Sequence, residues 1–101
     1  MARRLNLQET LEELLQSEHV YYQPPPSVHL KYPCIIFRDN VISQRHASNA
    51  VHGIERSYTV TLITRQPDDP IAEKLAWLPK CRFERAFTND NLYHWVYRIY
   101  E

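Results

Sequence analysis

The sequence predicts an α+β domain with a single mixed or antiparallel sheet of about five strands and two short helices packed on it. Residues 56–65 are the longest run of β-branched and aromatic residues without Gly or Pro, and they alternate with a period of two, which is typical of a central strand. Two segments have the apolar spacing of short helices. Two alternating segments near the end, joined by polar turn residues, predict a terminal hairpin. The predicted order is α-β-β-β-α-β-β.

Length and composition favour one folded domain, taken as residues 1–101. A chain of 101 residues with 44% apolar residues can bury one core and is not typical of disorder. Its 12 basic residues balance its 12 acidic ones, so the net charge gives no reason to expect non-specific nucleic-acid binding. Without a signal peptide or an apolar run that could span a membrane, we expect a cytosolic setting with no membrane partner, in which Cys34 and Cys81 are reduced and buried.

The first predicted helix begins at a capping box and ends near Ser17. Asn6 can cap it, and Glu9 stands three residues later. Its narrow apolar face is formed by residues spaced at i, i+4, i+7 and i+8, namely Leu7, Leu11, Leu14 and Leu15. Such a helix is marginal alone, so we expect it to lie on the sheet.

The second predicted helix follows a turn at residues 66–70. Asp68 or Asp69 can cap it, and Pro70 suits its first turn. Pro79 ends it after about two turns.

The remaining strands are predicted at residues 20–23, 32–38, 81–87 and 92–100, with the three prolines at 24–26 forming a stiff corner after the first. In 81–87, alternation places Cys81, Phe83 and Phe87 on one side. In 92–100, one face consists of Tyr93, Trp95, Tyr97 and Ile99, and the other of His94, Val96, Arg98 and Tyr100.

Residues 39–55 have no clean period and contain the only glycine, Gly53. A long irregular segment in a compact domain is commonly functional or disordered. Two interpretations are open: a mobile hairpin tip, or an arm that becomes ordered against a neighbouring subunit.

Neither a catalytic residue nor a metal or cofactor site is predicted, and we do not expect an enzyme. The five histidines form no His-x-x-x-His pair, and the two cysteines form no Cys-x-x-Cys, so a zinc site of Cys34, Cys81 and a histidine is disfavoured. Cys34 lies in a predicted strand, where a thiol is more often inert. The aromatic residues 93–97 beside Arg98 could form a stacking platform of a small nucleic-acid-binding domain, but core packing and a subunit contact are favoured.

Several segments in order resemble the small minor tail proteins of long-tailed phages and prophages, of the tail terminator or tail completion type. The segments are Val-Tyr-Tyr-Gln-Pro-Pro at 20–25, Tyr-Pro-Cys-Ile-Ile at 32–36, residues 58–68, Leu-Pro at 78–79 leading into Cys-x-Phe-x-Arg at 81–85, and Asp-Asn-Leu-x-His at 90–94. Together they cover most of the chain from residue 20 onward. Residues 39–55 have no counterpart in the resemblance.

The resemblance implies a structural protein of the virion, made in the host cytoplasm. Its fold would be similar to that of the lambdoid tail terminators, and its subunits would form a ring, typically a hexamer, at the head-proximal end of the tail tube. The ring would contact the tail tube protein and the head–tail connector protein, with DNA only passing through its lumen. A head-completion or head–tail joining role is the alternative within this class.

A cyclic ring needs two different patches on each subunit that meet head to tail. The aromatic last strand and the irregular 39–55 segment are the candidate halves. The predicted interface residues are Val41, Ile42, Arg45, Val51, Trp95, Tyr97 and Arg98.

Overall fold

A computed structural model of the chain describes residues 2–40, 43–47 and 50–100, with side chains described for 5–40 and 56–100. Two helices and seven strands are found in these residues. In chain order they are α1 (Ala2–Leu15), β1 (Val20–Tyr22), β2 (Cys34–Asp39), β3 (Ser43–Ala47), β4 (Ala50–Glu55), β5 (Ser57–Thr64), α2 (Pro70–Ala76), β6 (Cys81–Asn89) and β7 (Leu92–Tyr100).

Five strands form one mixed sheet, in the order β1-β2-β5-β7-β6. β1 runs parallel to β2, and every other neighbouring pair is antiparallel. The predicted fold class is confirmed, and so is the central position of the strand in residues 56–65, which is β5. Val60 in β5 lies opposite Phe37 in β2 and Tyr97 in β7, so these three side chains share one face.

Both helices pack on that face, which we call the covered face. Its core includes side chains from α1, β1, β2, β5, α2 and β7, among them Leu11, Val20, Phe37, Val60, Leu75 and Tyr97. The apolar face predicted for the first helix therefore does contact the sheet.

α1 begins at Ala2 and ends at Leu15, so the prediction that Asn6 caps it is wrong. Asn6 lies inside the helix, where its carbonyl oxygen accepts a hydrogen bond of 2.9 Å from Thr10 Oγ1. The residues before Asn6 are mostly good helix formers, and they extend the helix upstream of the capping box.

α2 begins as predicted. Asp69 has extended backbone angles, and its carboxylate accepts a hydrogen bond from the Ile71 amide at 3.0 Å. The other carboxylate oxygen accepts a hydrogen bond of 2.8 Å from Thr64 Oγ1 in β5. One buried carboxylate thus caps the helix and fixes its start against the central strand.

A β-bulge in β6 changes the faces predicted for residues 81–87. Phe83 lies opposite Tyr97, but Arg85 lies opposite Val96, so one extra residue stands in β6. Because side chains alternate along a strand, this extra residue moves every later side chain to the other face. Cys81 and Phe83 lie on the covered face as predicted, whereas Phe87 lies on the opposite face beside His94.

The segment 39–55, in which the sequence shows no clean period, contains the two-stranded hairpin of β3 and β4. It follows the β2–β5 pair along the chain: the last pair of the β2–β5 ladder is Asp39 with Tyr58, and the first pair of the β3–β4 ladder is Ser43 with Glu55. Three residues separate the pairs on one strand and two on the other, so the ladder is interrupted.

Candidate functional site

The face of the sheet opposite the helices, here called the open face, is the first candidate surface. No described helix packs on it. Its centre is apolar and buried, with Cys34, Ile63 and Val96 at 0%, 6% and 5% exposure. Aromatic and charged side chains surround this centre.

Four arginines share the open face: Arg38, Arg82, Arg85 and Arg98. Arg98 Nε lies 3.6 Å from a carboxylate oxygen of Glu84 and makes no hydrogen bond to any described residue. Within the described residues, this contact with Glu84 is the ion pair made by the arginines of the open face. Arg82 lies directly opposite Arg98 in the ladder, and like charges in that position are destabilising.

Two stacked rings lie beside these arginines. The Phe87 and His94 rings are 4.6 Å apart between centroids and nearly parallel. The Arg85 guanidinium carbon lies 5.6 Å from the Phe87 ring centroid, a cation–π geometry. Phe87 is 40% exposed, so the stack is accessible at the edge of the sheet.

The outer side of α1 is acidic, and it lies on the opposite side of the molecule from the open face. Glu9, Glu12, Glu13 and Glu18 line a shallow groove there together with Ser17, which we call the acidic groove. Glu12 and Glu13 are in the last turns of α1, where the helix dipole disfavours negative charge by about 0.3–1 kcal/mol per group.

The base of the β3–β4 hairpin is fixed by Asn40. Its amide nitrogen atom Nδ2 donates to Ser57 Oγ at 2.8 Å, and its Oδ1 accepts a hydrogen bond from Thr59 Oγ1 at 2.7 Å. The Asn40 backbone N–H also donates to the Ser57 carbonyl oxygen at 3.0 Å. These bonds hold the chain where the hairpin leaves the sheet.

Beyond this base, the described parts of β3 and β4 pair with each other and have no extensive contact with another helix or strand. The molecule measures 48 Å along its longest axis and 28 and 26 Å along the others, and its radius of gyration is 14.9 Å. A compact domain of this length has about 13 Å. The shape is therefore that of a domain with an arm.

The sequence did not predict the exposure of two aromatic side chains. Trp77 at the end of α2 is 81% exposed, and Phe83 in the edge strand β6 is 50% exposed. Large exposed aromatic side chains are enriched at protein interfaces. The sequence gives a weak signal for Trp77, because it stands only two residues after Leu75, the buried residue of α2, and so lies on a different side of the helix.

The structure separates the predicted interface residues. Val41 and Ile42 lie outside the described residues, and Arg45 and Val51 lie in β3 and β4, whose side chains are not described. Trp95 is half-buried against the core on the covered face, while Arg98 lies on the open face. Trp95 and Arg98 therefore do not form one patch.

Tyr97 is part of the core of the domain, at 2% exposure. Its hydroxyl donates a hydrogen bond of 2.6 Å to the carbonyl oxygen of Ala72 in α2. Burial, with a smaller contribution from Cys81, raises the pKa of Tyr97 to about 12. The aromatic platform considered for residues 93–97 would thus use a side chain that is already packed under α2.

The two thiols are free and lie on opposite faces of the sheet. Burial raises the pKa of Cys34 from 9.0 to about 11 and also raises the pKa of Cys81, which disfavours the nucleophilic thiolate. In the described part of the chain, no three His, Cys, Asp or Glu side chains are placed to hold a metal ion. Neither described helix has the length and apolar character to cross a membrane.

Comparisons of this chain with protein-family models, curated proteins and solved structures found no match.

Proposed function

We propose that this chain is a structural subunit of a phage tail, a tail terminator or tail completion protein whose copies form a ring at the head-proximal end of the tail tube. The projecting β3–β4 hairpin is the observation that carries the proposal. A two-stranded hairpin is marginally stable on its own, and this one packs extensively on no other described element. Contact with a neighbouring subunit would supply the missing packing.

Hydrogen bonds at the base of the hairpin support the same role. Asn40 is held against Ser57 and Thr59 in the central strand, so the chain leaves the sheet from a fixed point. An arm that starts from a fixed point of the domain can meet the same patch on every neighbour, which a closed ring requires.

The first test is the position of the gene and the ability of the protein to stop the growth of tail tubes. We expect the gene to lie between genes for a head–tail connector and for a major tail tube protein. The purified chain, added to that tube protein as it polymerises, should stop growth and bind tube ends, as seen by negative-stain microscopy. Tubes of unchanged length with bare ends would contradict the proposal.

A hairpin-less variant gives the sharper form of this test. Replacing residues 41–56 by Asn-Gly joins Asn40 to Ser57 through a two-residue turn suited to a tight hairpin, and the Asn40–Ser57 hydrogen bonds are kept. We expect the variant to remain folded by circular dichroism and to lose tube termination. A folded variant that still terminates tubes would show that the arm is not the assembly element.

A head-completion protein of the same class would use the same domain with a different partner. The two roles are separated by binding: a head-completion protein should bind the connector in the absence of the tube protein, whereas a terminator should bind tube ends in the absence of the connector.

A further inference from the structure

We propose that the open face of one copy binds the acidic groove on α1 of a second copy, so that subunits associate head to tail. This inference deepens the proposed ring, on which it rests for its biological setting, by naming the two surfaces that meet. It is carried by the separation of charge across the two layers of the domain.

The charges on the two surfaces are complementary although the chain as a whole has no net charge. The open face carries four arginines, Arg38, Arg82, Arg85 and Arg98, with Glu84 beside Arg98. The groove carries four glutamates. Complementary patches on two partners orient and accelerate their association.

Opposite placement makes the association heterologous. α1 packs on the covered face, so the groove on its outer side and the open face point away from each other. Two different patches on opposite sides cannot pair in a closed two-fold dimer; they build a ring or a filament.

Both surfaces carry charge arrangements that disfavour the isolated subunit. Arg82 and Arg98 are like charges directly opposite in the ladder, and Glu12 and Glu13 stand at the negative end of the α1 dipole. Glu9 and Glu13 are also like charges at i, i+4 spacing. Such local conflicts concentrate at functional sites, and a partner of opposite charge would relieve all of them.

The size of the face sets the expected strength of one contact. The five strands hold 35 residues, and at about 3.4 Å per residue and about 4.8 Å between strands they give a face of roughly 570 Å². Stable complexes bury about 800 Å² per partner. A single contact is therefore weak, and closure of a ring, with two contacts per subunit, strengthens it.

Charge reversal tests the pairing. The basic-face variant carries Arg82→Glu and Arg85→Glu, the groove variant carries Glu9→Lys and Glu13→Lys, and the swap variant carries all four changes. At low ionic strength, sedimentation velocity should show that the parent self-associates. The association constant should fall about tenfold or more in each two-residue variant. It should recover in the swap variant, which has the parent's net charge.

Matched controls separate the surfaces from net charge and folding. Lys31→Glu with Lys74→Glu, and Asp68→Lys with Glu73→Lys, make the same changes in net charge at exposed positions outside both surfaces, and they should associate like the parent. The melting temperatures of the basic-face and groove variants should stay within a few degrees of the parent's. Arg82→Glu faces Arg98 with an opposite charge, which offsets the loss of the Arg85–Phe87 contact, and Glu13→Lys places a positive charge near the end of α1.

The pairing is overturned if the parent does not associate at low ionic strength, if either two-residue variant associates like the parent, or if the swap variant stays dissociated. It is also overturned if the basic-face variant loses binding to a single-stranded oligonucleotide but keeps self-association. Two-residue variants that still terminate tubes would defeat this inference alone. Self-association through these surfaces without any effect on tubes would defeat the proposed function alone.

Discussion

The two faces of the sheet differ in what their side chains contact. On the covered face, apolar side chains pack under α1 and α2, and polar groups such as the Tyr97 hydroxyl and the Asp69 carboxylate have partners within the chain. On the open face, Arg82 opposes Arg98 and the Phe87–His94 stack is accessible at the edge. Folding supplies the side chains of the covered face with packing and hydrogen-bond partners. The open face keeps charges and rings that a second molecule can contact.

The largest expected effect contrasts two phenylalanines. Phe37 is 0% exposed and its ring contacts Tyr22 and Tyr58, so Phe37→Ala should lower the free energy of unfolding by about 3–5 kcal/mol. Phe87→Ala on the open face should cost less than about 1 kcal/mol, because the ring is partly exposed already. Urea unfolding of both variants measures the difference. Equal losses would show that the open face is part of the folding core.

The next effect tests the polar bonds of the covered face. Asp69→Ala removes the cap of α2 and leaves the buried Thr64 hydroxyl without its acceptor, at a cost of about 2 kcal/mol. Asp68→Ala, at the exposed neighbouring position, should be close to neutral. Thermal unfolding of the pair checks this, and a similar loss from Asp68→Ala would mean that Asp69 is not the cap in solution.

Alkaline pH probes a buried group on each face. Burial raises the pKa of Cys34 to about 11 and that of Tyr97 to about 12, so folding favours the neutral thiol and phenol. Stability is full below the unfolded pKa values and is lost as pH rises, between 9 and 11 for Cys34 and between about 10 and 12 for Tyr97.

For Cys34 this difference in pKa corresponds to a loss of at most about 2.7 kcal/mol. Cys34→Ala should therefore flatten the fall in stability between pH 9 and 11, and Tyr97→Phe should flatten the fall at higher pH, in denaturant unfolding at a series of pH values. Unchanged slopes in both variants would show that neither group titrates with folding.

The smallest expected effect is on the open face. Arg82→Glu places opposite charges across the ladder and should raise the free energy of unfolding by a few tenths of a kcal/mol. Lys31→Glu, with the same change in charge, is the control. A clear loss of stability from Arg82→Glu, measured in the same urea titration, would show that Arg82 and Arg98 do not repel each other. The proposed pairing of the two charged surfaces would then lose one of its supports.

Sequence patterns could predict the covered face because its rules are local or periodic. The alternation of residues 56–65 identified β5, and the Asp-Asp-Pro sequence identified the start of α2. The capping box at Asn6 was misleading because good helix formers upstream continue the helix.

The open face could not be predicted to the same depth. One extra residue between Phe83 and Arg85 decides which face Phe87 occupies, and alternation alone does not reveal a bulge. The four arginines come from β2, β6 and β7, which are neighbours only through the strand order. In the sequence, the glutamates of the acidic groove look like an ordinary solvent-exposed helix face. Only the location of α1 shows that they lie on the opposite side of the molecule from the arginines.

The mass of the parent protein in solution, measured by light scattering at two ionic strengths, tests the central claim most directly. At about 0.01 M salt, where charges interact over about 30 Å, we expect a mass several times that of the subunit; at about 1 M, where they interact over about 3 Å, we expect the mass of a monomer. A monomer at both salt concentrations, or an oligomer unaffected by salt, would contradict the account.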